Sequence, residues 1–350
     1  MKFINLVKIK TTHIFTFESI NFFDLNNDNA FLSRLLVKIF DLNMKNKILN
    51  ASFYKFKEIN LPENDLKPLQ DFCVSKNLKG LIILAKEGIN GTVSGNEDSV
   101  EALFTYLSEN VIKFHLDYKK SWSQTCPFLR MKVRLKKEIV TMGISGINPN
   151  VNVGEYVNSS DWNKLISDPD VVLIDTRNDY EVELGTFKGA INPNLKKFSS
   201  FPDWLEKNKN NFFKDEKNTK IAMFCTGGIR CEKSTAFLKS QGFNNVYHLD
   251  GGILKYLENM DAVDSLWEGE CFVFDERVTV RHGLIQGDYE LCRCCREPLS
   301  QDDKLKPEFE IGVSCPRCFN SKTQLQKERA RERQNQLLRE KNKNGIKNEN

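Results

Sequence analysis

The order of apolar and polar positions divides residues 50–260 into two differently built regions. In residues 50–142, short runs that alternate in hydrophobicity or are wholly apolar predict strands, and longer amphipathic segments predict helices. The predicted strands are 51–56, 80–85, 92–95, 113–118 and 129–133, and the predicted helices are 62–77 and 96–110. The order β-α-β-β-α-β within this set predicts a ferredoxin-like α+β domain.

The second region, residues 143–260, contains fully apolar strands. Val171–Ile174 and Ile221–Phe224 are continuous apolar runs followed by polar residues, which is typical of central strands in a parallel sheet. A further short strand is predicted at Val246–Leu249. Because strands and helices alternate here, the region is predicted to be a parallel α/β domain. Such sheets bind their ligands at the carboxyl ends of the strands.

A six-residue loop with two glycines follows the strand that ends at Phe224. Its residues are Cys225, Thr226, Gly227, Gly228, Ile229 and Arg230. From Cys231 onward the sequence favours a helix, so the backbone N–H groups of the loop can point at one spot and stabilise a negative charge there. That environment favours the thiolate of Cys225, which is the nucleophilic form of a cysteine.

Cys225 is therefore the candidate catalytic residue. A buried, inert thiol is the alternative, but such a thiol requires neither the two glycines nor Arg230. Arg230 closes the loop with a fixed positive charge and is expected either to hold the loop or to bind an anionic group. Cys231 is a candidate resolving thiol, and the alternative is a cysteine packed inward at the start of the helix.

Charge is concentrated at the C-terminal end. The 350-residue chain has a formal net charge of +4, and residues 320–350 contain nine Lys or Arg against four Glu. This basic tail suggests a polyanionic partner such as nucleic acid, and a solvated terminus without a partner is the alternative. Residues 1–44 form an N-terminal extension without an assigned role. No apolar run approaches the roughly 20 residues that a membrane span needs, so no membrane association is predicted.

Four of the ten cysteines form two C-x-x-C pairs in residues 261–319, which we interpret as a connector and a zinc-ribbon-like segment. The pairs are Cys292 with Cys295 and Cys315 with Cys318. This spacing is typical of a tetrahedral Cys₄ zinc site, so a structural zinc ion is the candidate metal, with redox-active or vestigial thiols as alternatives. Paired cysteines and a reactive thiol fit a reducing compartment, which predicts a cytoplasmic location.

Basic residues alternate on the last predicted strand of the first domain. They are Arg130, Lys132 and Arg134. Alternation places them on one face of the strand, and the aromatic neighbours Tyr118 and Trp122 would suit a surface that binds single-stranded or loop RNA. An ordinary solvated sheet face is the alternative.

Several motifs in residues 143–260 together resemble the rhodanese family. They are D-T-R at 175–177, G-T-F-K-G-A-I-N-P at 185–193, C-T-G-G-I-R at 225–230 and L-D-G-G-I at 249–253. Cysteine-based phosphatases place five residues between Cys and Arg, whereas four stand here. The resemblance implies a rhodanese domain, in which the tighter loop suits a sulfur atom carried on the cysteine as a persulfide.

From about residue 50 the chain also resembles the bacterial oxygen-dependent tRNA uridine hydroxylases, which combine an α+β domain, a rhodanese domain and a Cys-rich tail. The motifs are S-F-Y-K-F at 52–56, A-K-E-G-I-N-G at 85–91, L-R-M-K-V-R at 129–134, C-T-G-G-I-R-C-E-K-S at 225–234 and F-V-F-D-E-R at 272–277. Residues 1–44 and the basic tail lie outside this resemblance.

The resemblance implies hydroxylation of the wobble uridine of tRNA, position 34, to 5-hydroxyuridine. Molecular oxygen would be the co-substrate, tRNA the partner and Cys225 the essential cysteine, and the sequence contains no flavin or nicotinamide signature. Addition of the Cys225 thiolate to the electron-poor 6-position of uracil is a hypothesis for its role. Two alternatives stay open: a sulfurtransferase that passes persulfide sulfur from Cys225 to an acceptor, and a non-catalytic RNA-binding module.

Overall fold

The computed structural model describes residues 47–213 and 218–346, with side chains described as far as residue 339. The N-terminal extension, residues 1–44, and the end of the basic tail lie outside these described residues. Within the described part, no helix is both long enough and apolar enough to cross a membrane.

A five-stranded sheet forms the first domain. Its strands are β1 Ile48–Phe56, β2 Lys79–Ala85, β3 Gly88–Gly95, β4 Lys119–Ser123 and β5 Met131–Leu135. They lie in the order β4-β1-β3-β2-β5, and neighbours are antiparallel except β5, which runs parallel to β2. The first four strands and their two helices form the predicted ferredoxin-like sandwich, and β5 extends the sheet at one edge.

The two helices of this domain cover one face of the sheet. They are α1 Leu66–Ser75 and α2 Glu97–Tyr106. Asn96 caps α2, because its side chain accepts a hydrogen bond from the backbone N–H of Ser99 at 2.8 Å. The core between helices and sheet includes Leu69, Leu103 and Phe53. Side chains alternate along a strand, so the neighbours of Phe53 in β1 point to the opposite face, where a cleft lies.

The fourth strand begins later than the alternation of residues 113–118 predicted. Phe114, Leu116 and Tyr118 do pack against the core of the domain, but their backbone is irregular and Lys113 has a positive φ of 55°. Pairing with β1 starts only at Lys119. The prediction for this strand was wrong because burial of alternate side chains does not require strand pairing.

The second domain has a parallel sheet with helices on both sides, as predicted. Its strands are β6 Glu155–Val157, β7 Val171–Asp175, β9 Lys220–Phe224 and β10 Val246–Leu249, in the order β6-β10-β9-β7. A short strand, β8 Gly185–Phe187, lies outside this sheet. The helices are α3 Ser159–Ile166, α4 Asp179–Val182, α5 Phe201–Phe212, α6 Ile229–Ser240 and α7 Gly252–Asn259. Separate apolar cores lie on the two faces of the sheet, one around Phe201 and Met223 and one around Phe187 and Phe224.

The connector packs against the second domain. Its strands are β11 Trp267–Gly269, β12 Cys271–Phe272 and β13 Thr279–Val280. β11 pairs with β8, and Cys271 is fully buried in the second apolar core. The elements that follow are β14 Glu290–Leu291, β15 Pro298–Leu299, α8 Gln301–Leu305 and α9 Gln324–Ile346. The basic tail is therefore helical through most of its length.

A buried lysine joins the two domains. The ammonium group of Lys233, on α6, donates to the carboxylate of Glu87 at 2.8 and 2.9 Å and to Glu138 at 2.6 Å. It also donates to the backbone carbonyl of Val140 at 3.1 Å. Lys233 is 1% exposed. A charge at this depth is stable only when paired and hydrogen-bonded, so the pairing holds α6 against the β2–β3 turn of the first domain.

Candidate active site

Cys225 lies directly after β9, at the carboxyl end of the parallel sheet. The backbone N–H of Gly228 donates to the Cys225 sulfur at 3.1 Å, and α6 begins at the next residue. Gly228 has a φ of 104°, a conformation that favours glycine. The N-terminus of α6 therefore points at the sulfur, as the loop sequence predicted.

A second glycine-containing turn, at Gly251 and Gly252, packs against this loop and hydrogen-bonds to it. The N–H groups of Ile253 and Leu254, at the start of α7, donate to the carbonyls of Cys225 and Thr226 at 2.9 and 3.0 Å. A Cβ added at Gly252 would lie 2.5 Å from the carbonyl oxygen of Cys225. Only glycine allows this approach, so the L-D-G-G-I run fixes the position of the reactive residue.

The surroundings of Cys225 favour its thiolate. Burial alone would raise the pKa of the thiol, but a hydrogen bond from the Cys231 thiol, the charge of Arg230 and the backbone N–H groups of Cys231 and Gly228 lower the pKa of Cys225 to about 5. The pKa of Cys231 is raised well above its usual value by burial and by the neighbouring thiolate. At neutral pH, Cys225 is therefore the charged member of the pair and Cys231 the hydrogen-bond donor.

Arg230 holds the loop. Its guanidinium group donates to both carboxylate oxygens of Glu181 at 2.6 and 2.8 Å and to the Thr226 hydroxyl at 3.2 Å. The bidentate pair is buried. Arg230 was expected either to hold the loop or to bind an anionic group. This geometry supports the loop-holding role, because the carboxylate of Glu181 already occupies the position that a bound anion would take.

Two side chains from the first domain reach the loop, and neither was predicted from the sequence. Lys119, on β4, donates to the carbonyl of Gly227 at 2.5 Å and to that of Gly251 at 2.6 Å. The hydroxyl of Tyr54, on β1, would lie 2.6 Å from a Cβ added at Gly228. The S-F-Y-K-F motif contained Tyr54, but no local pattern indicated that it would lie against a loop 170 residues later in the chain.

A half-buried carboxyl group lies beside these residues. Tyr54 donates to Glu232 at 2.8 Å, and Tyr156 also hydrogen-bonds to Glu232. Burial raises the pKa of Glu232, and the two tyrosine hydroxyls oppose that effect. Glu232 follows Cys231 in the helix, so both domains contribute hydrogen bonds to the first turn of α6.

The loop forms the floor of a cleft of about 1210 Å³ between the two domains and the connector. The helix-free face of the first sheet forms a wall of the cleft, which includes Ser52, Thr92, Leu81 and Ile83. Phe274 of the connector, 63% exposed, lies at the cleft with its ring centroid 5.9 Å from the Arg230 guanidinium. Cys225 itself is fully buried beneath this surface.

Two of the three predicted basic residues lie on the face of the sheet that forms the cleft wall. In the parallel pairing of β2 and β5, Lys132 is opposite Leu81 and Arg134 is opposite Ile83. Paired residues share a face, so these two side chains extend the cleft wall at its edge. Arg130 is exposed and precedes β5 by one residue.

The two C-x-x-C pairs come together as predicted. The four sulfur atoms of Cys292, Cys295, Cys315 and Cys318 all lie within 4.8 Å of one another. Cys295 to Cys315 is 3.6 Å and Cys315 to Cys318 is 3.7 Å. A tetrahedral metal with bonds of about 2.3 Å to sulfur requires spacings of this size, so the four thiols can hold a metal ion.

The fold and the loop define a rhodanese-type cysteine site attached to an acylphosphatase-like domain, and sequence comparisons agree. Residues 48–139 match the family described as UPF0176 acylphosphatase like domain, and residues 159–259 match the Rhodanese-like domain family.

Relatives over most of the chain give the particular family. A tRNA uridine(34) hydroxylase of Albidiferax ferrireducens is 56% identical over 77% of this chain and 84% of its own length. Proteins with the same name from Teredinibacter turnerae and Bartonella quintana are both 53% identical, over 80% and 77% of this chain and 86% and 88% of their own lengths. The chain belongs to the tRNA uridine(34) hydroxylase family.

We expect Cys231→Ala to raise the pKa of Cys225, whereas Cys231→Ser keeps it, because the serine hydroxyl still donates a hydrogen bond to the sulfur. A hydrogen bond to a charged group is worth about 1.5–3 kcal/mol, which would move the thiolate midpoint from about 5 to about 6–7 in the alanine variant. Thiolate absorbance near 240 nm, taken as a difference from Cys225→Ser, measures this midpoint at roughly 0.1 M salt. Equal midpoints in all three proteins would contradict the role given to Cys231.

Proposed function

We propose that this protein hydroxylates the wobble uridine of tRNA at the 5-position of the base, with molecular oxygen as co-substrate. The observation that carries the proposal is a stabilised thiolate beneath a cleft that is also lined by a helix-free sheet face with basic residues at its edge. Curated relatives named tRNA uridine(34) hydroxylase over most of the chain support it.

The sheet face suits an anticodon loop. Paired residues form a row across all five strands: Lys119, Ser52, Thr92, Leu81 and Lys132. Strands lie about 4.8 Å apart, so this row spans roughly 19 Å, enough for several nucleotides. Sequence-specific RNA recognition mostly targets unpaired loops laid on such surfaces. We assign phosphate binding to the basic edge residues Arg130, Lys132 and Arg134.

Cys225 is assigned as the catalytic nucleophile. Uracil is electron-poor at its 6-position, and addition of a thiolate there makes the neighbouring 5-carbon electron-rich. That carbon can then react with oxygen. If one oxygen atom enters the C–H bond, the other becomes water by taking two electrons and two protons, which an external reductant supplies. The remaining residues of the loop, 226–230, hold the sulfur in place.

A sulfurtransferase is the second candidate, and the depth of Cys225 favours it. The sulfur is fully buried, and a persulfide would extend it by an S–S bond of about 2.05 Å toward the cleft. The six-residue loop resembles that of rhodanese domains, where a loop of this length suits a persulfide on the cysteine. A protein that binds RNA without catalysis is the remaining alternative.

We propose that the four clustered cysteines bind a structural zinc ion. The apolar core of the C-terminal segment is small: besides the cysteines it contains Leu299 and Phe309. Segments of this size commonly need a metal to fold. All ten cysteines are unpaired, which fits a reducing compartment. We therefore place the protein in the cytoplasm, where its tRNA substrate is found.

Cells that lack the gene should lose 5-hydroxyuridine and its derivatives from tRNA. Wild-type protein should restore them, and Cys225→Ser should not, because a hydroxyl is not ionised at neutral pH. Mass spectrometry of tRNA nucleosides measures this, with immunoblots to confirm equal protein levels. If thiolated nucleosides fall while 5-hydroxyuridine is unchanged, the protein is a sulfurtransferase. Restoration by Cys225→Ser would indicate a non-catalytic role.

The double variant Lys132→Ala/Arg134→Ala should bind an anticodon stem-loop more weakly and with a smaller salt dependence. Loss of two phosphate contacts lowers the slope of log K against log salt by about 1.4 for single-stranded RNA. Fluorescence anisotropy across a salt series measures it. Lys67→Ala/Lys76→Ala removes the same charge at α1, on the other side of the sheet, and should leave the slope unchanged. If both double variants show the same salt slope, the RNA does not contact Lys132 and Arg134.

Purified protein should contain one zinc ion per chain, and Cys315→Ser should lose it, because a Cys₄ site does not keep a structural metal well with three thiolates. Elemental analysis measures the metal, and thermal unfolding should show a lower midpoint. Cys294→Ser is the matched control, since Cys294 stands between the ligands in sequence but outside the cluster of four sulfurs. A wild-type protein without zinc would favour the redox alternative.

A further inference from the structure

Lys119 contacts the catalytic loop without belonging to its domain. Its ammonium group donates to the carbonyls of Gly227, in the loop, and Gly251, in the turn before α7. These bonds use two of the three N–H donors of a lysine. The residue is half-buried and lines the cleft, whereas Cys225 is fully buried. A molecule that enters the cleft therefore meets the ammonium group before it meets the sulfur.

Lys119 also lacks a carboxylate partner. Among the described residues, no carboxylate oxygen lies within ion-pair distance of its ammonium group. Other lysines nearby do have such partners: Lys233 pairs with Glu87, Lys255 with Asp250, and Lys120 with Glu97. A desolvated ammonium whose hydrogen bonds go only to neutral carbonyl groups is costly, and that cost is offset further when an anionic oxygen of a substrate accepts the third N–H.

We propose that Lys119 is a catalytic residue that donates a hydrogen bond to the uracil oxygen on which negative charge develops when Cys225 attacks. The inference rests on the proposed function. In this step the Cys225 sulfur forms a bond to C6, the electron pair of the C5=C6 bond moves toward C4, and the carbonyl oxygen O4 becomes an enolate oxygen. No oxidant is consumed, and the proton stays on Lys119.

Donors aimed at the position where charge develops are the usual way in which enzymes stabilise such intermediates. A purely structural role would not need this arrangement, because a neutral side chain could link two carbonyls without burying a charge. The first domain, on this view, supplies part of the reaction chemistry as well as the RNA surface.

Several charged and titratable groups surround Lys119. Tyr54 faces it from β1, Cys225 and Glu232 from the loop and α6, and Asp250 and Lys255 from the turn and α7. Arg277 of the connector, paired with Asp275, reaches the same strand at Ser121. Burial lowers the pKa of Lys119 to about 8, although Cys225 and Asp250 oppose that effect.

The addition step can be tested without oxygen or a reductant. An enolate formed by thiolate addition takes up a deuteron at C5. Loss of the original C5 proton to solvent then regenerates the enolate, and departure of the thiolate from C6 leaves uridine with deuterium at C5. Full-length protein is incubated anaerobically with an anticodon stem-loop RNA in D₂O, and deuterium at the wobble uridine is read by mass spectrometry. Wild type should exchange this hydrogen, and Cys225→Ser should not.

Lys119→Met should lower the exchange rate at saturating RNA by about 100-fold or more, the usual loss for one such donor. Its RNA dissociation constant should change far less than its rate. The Cys225 thiolate midpoint should rise, because the ammonium group and the thiolate attract each other, so the rates are compared at a pH where Cys225 is ionised in both proteins. Lys120→Met is the matched control, because it makes the same change one residue along β4, on the other face of the sheet, and should exchange at the wild-type rate.

The pH profile separates catalysis from positioning. Wild-type exchange should fall above about pH 8, since Lys119 loses its proton there and can no longer act as a cationic donor. Lys119→Arg keeps its charge, so its exchange should persist to higher pH. If Lys119→Arg is inactive because the arginine does not fit, the Lys119→Met rate alone tests the proposal.

Four results would overturn the proposal. Three concern the variants: a Lys119→Met rate within about threefold of wild type, a loss of rate in Lys119→Met that disappears once Cys225 is fully ionised, and an active Lys119→Arg enzyme that still loses activity above about pH 8. Absence of exchange in wild type would also overturn it, yet would leave the hydroxylase proposal standing if cells still require Cys225 for 5-hydroxyuridine. If cells without the gene keep 5-hydroxyuridine, the hydroxylase proposal itself fails.

Discussion

The buried pair of Arg230 and Glu181 is the interaction on which the site depends. Burial raises the pKa of Glu181, and the charges of Arg230 and Arg177 more than offset that effect, so the pKa of Glu181 is lowered. Glu181 also caps the start of α4 by accepting from the N–H of Asn178 at 3.1 Å. One carboxylate thus links the end of β7, a short helix and the loop from Cys225 to Arg230. Removing either member of the pair would leave an unpaired buried charge, which is among the costliest defects in a folded protein.

The site is completed across a domain boundary. Lys233 fixes α6 against the first domain through Glu87 and Glu138, while Tyr54 and Lys119 approach the same helix start and loop from β1 and β4. Each of these contacts places a charged or hydroxyl group of one domain on polar atoms of the other. The two domains therefore form one site.

Local patterns predicted the parts of the structure that local chemistry determines. The loop from Cys225 to Arg230 follows from the strand, the glycines and the helix that surround it, and the four clustered cysteines follow from their spacing. The fourth strand was misplaced, because Phe114 and Leu116 are buried without strand pairing. Glu181, Tyr54 and Lys119 were not predicted as site residues. They reach the loop only through the tertiary fold, and no spacing rule connects residues so far apart in the chain.

The burial of Cys225 affects how easily its sulfur can be oxidised. Thiolates are the cysteines most readily converted by peroxide to sulfenic and then irreversibly to sulfinic acid, and susceptibility follows both charge and exposure. This sulfur carries the charge but is fully buried beneath the cleft floor. On the proposed function, oxygen enters this cleft, and an exposed thiolate there would be open to oxidation between turnovers. Burial keeps the nucleophile shielded from stray oxidants until a base occupies the cleft.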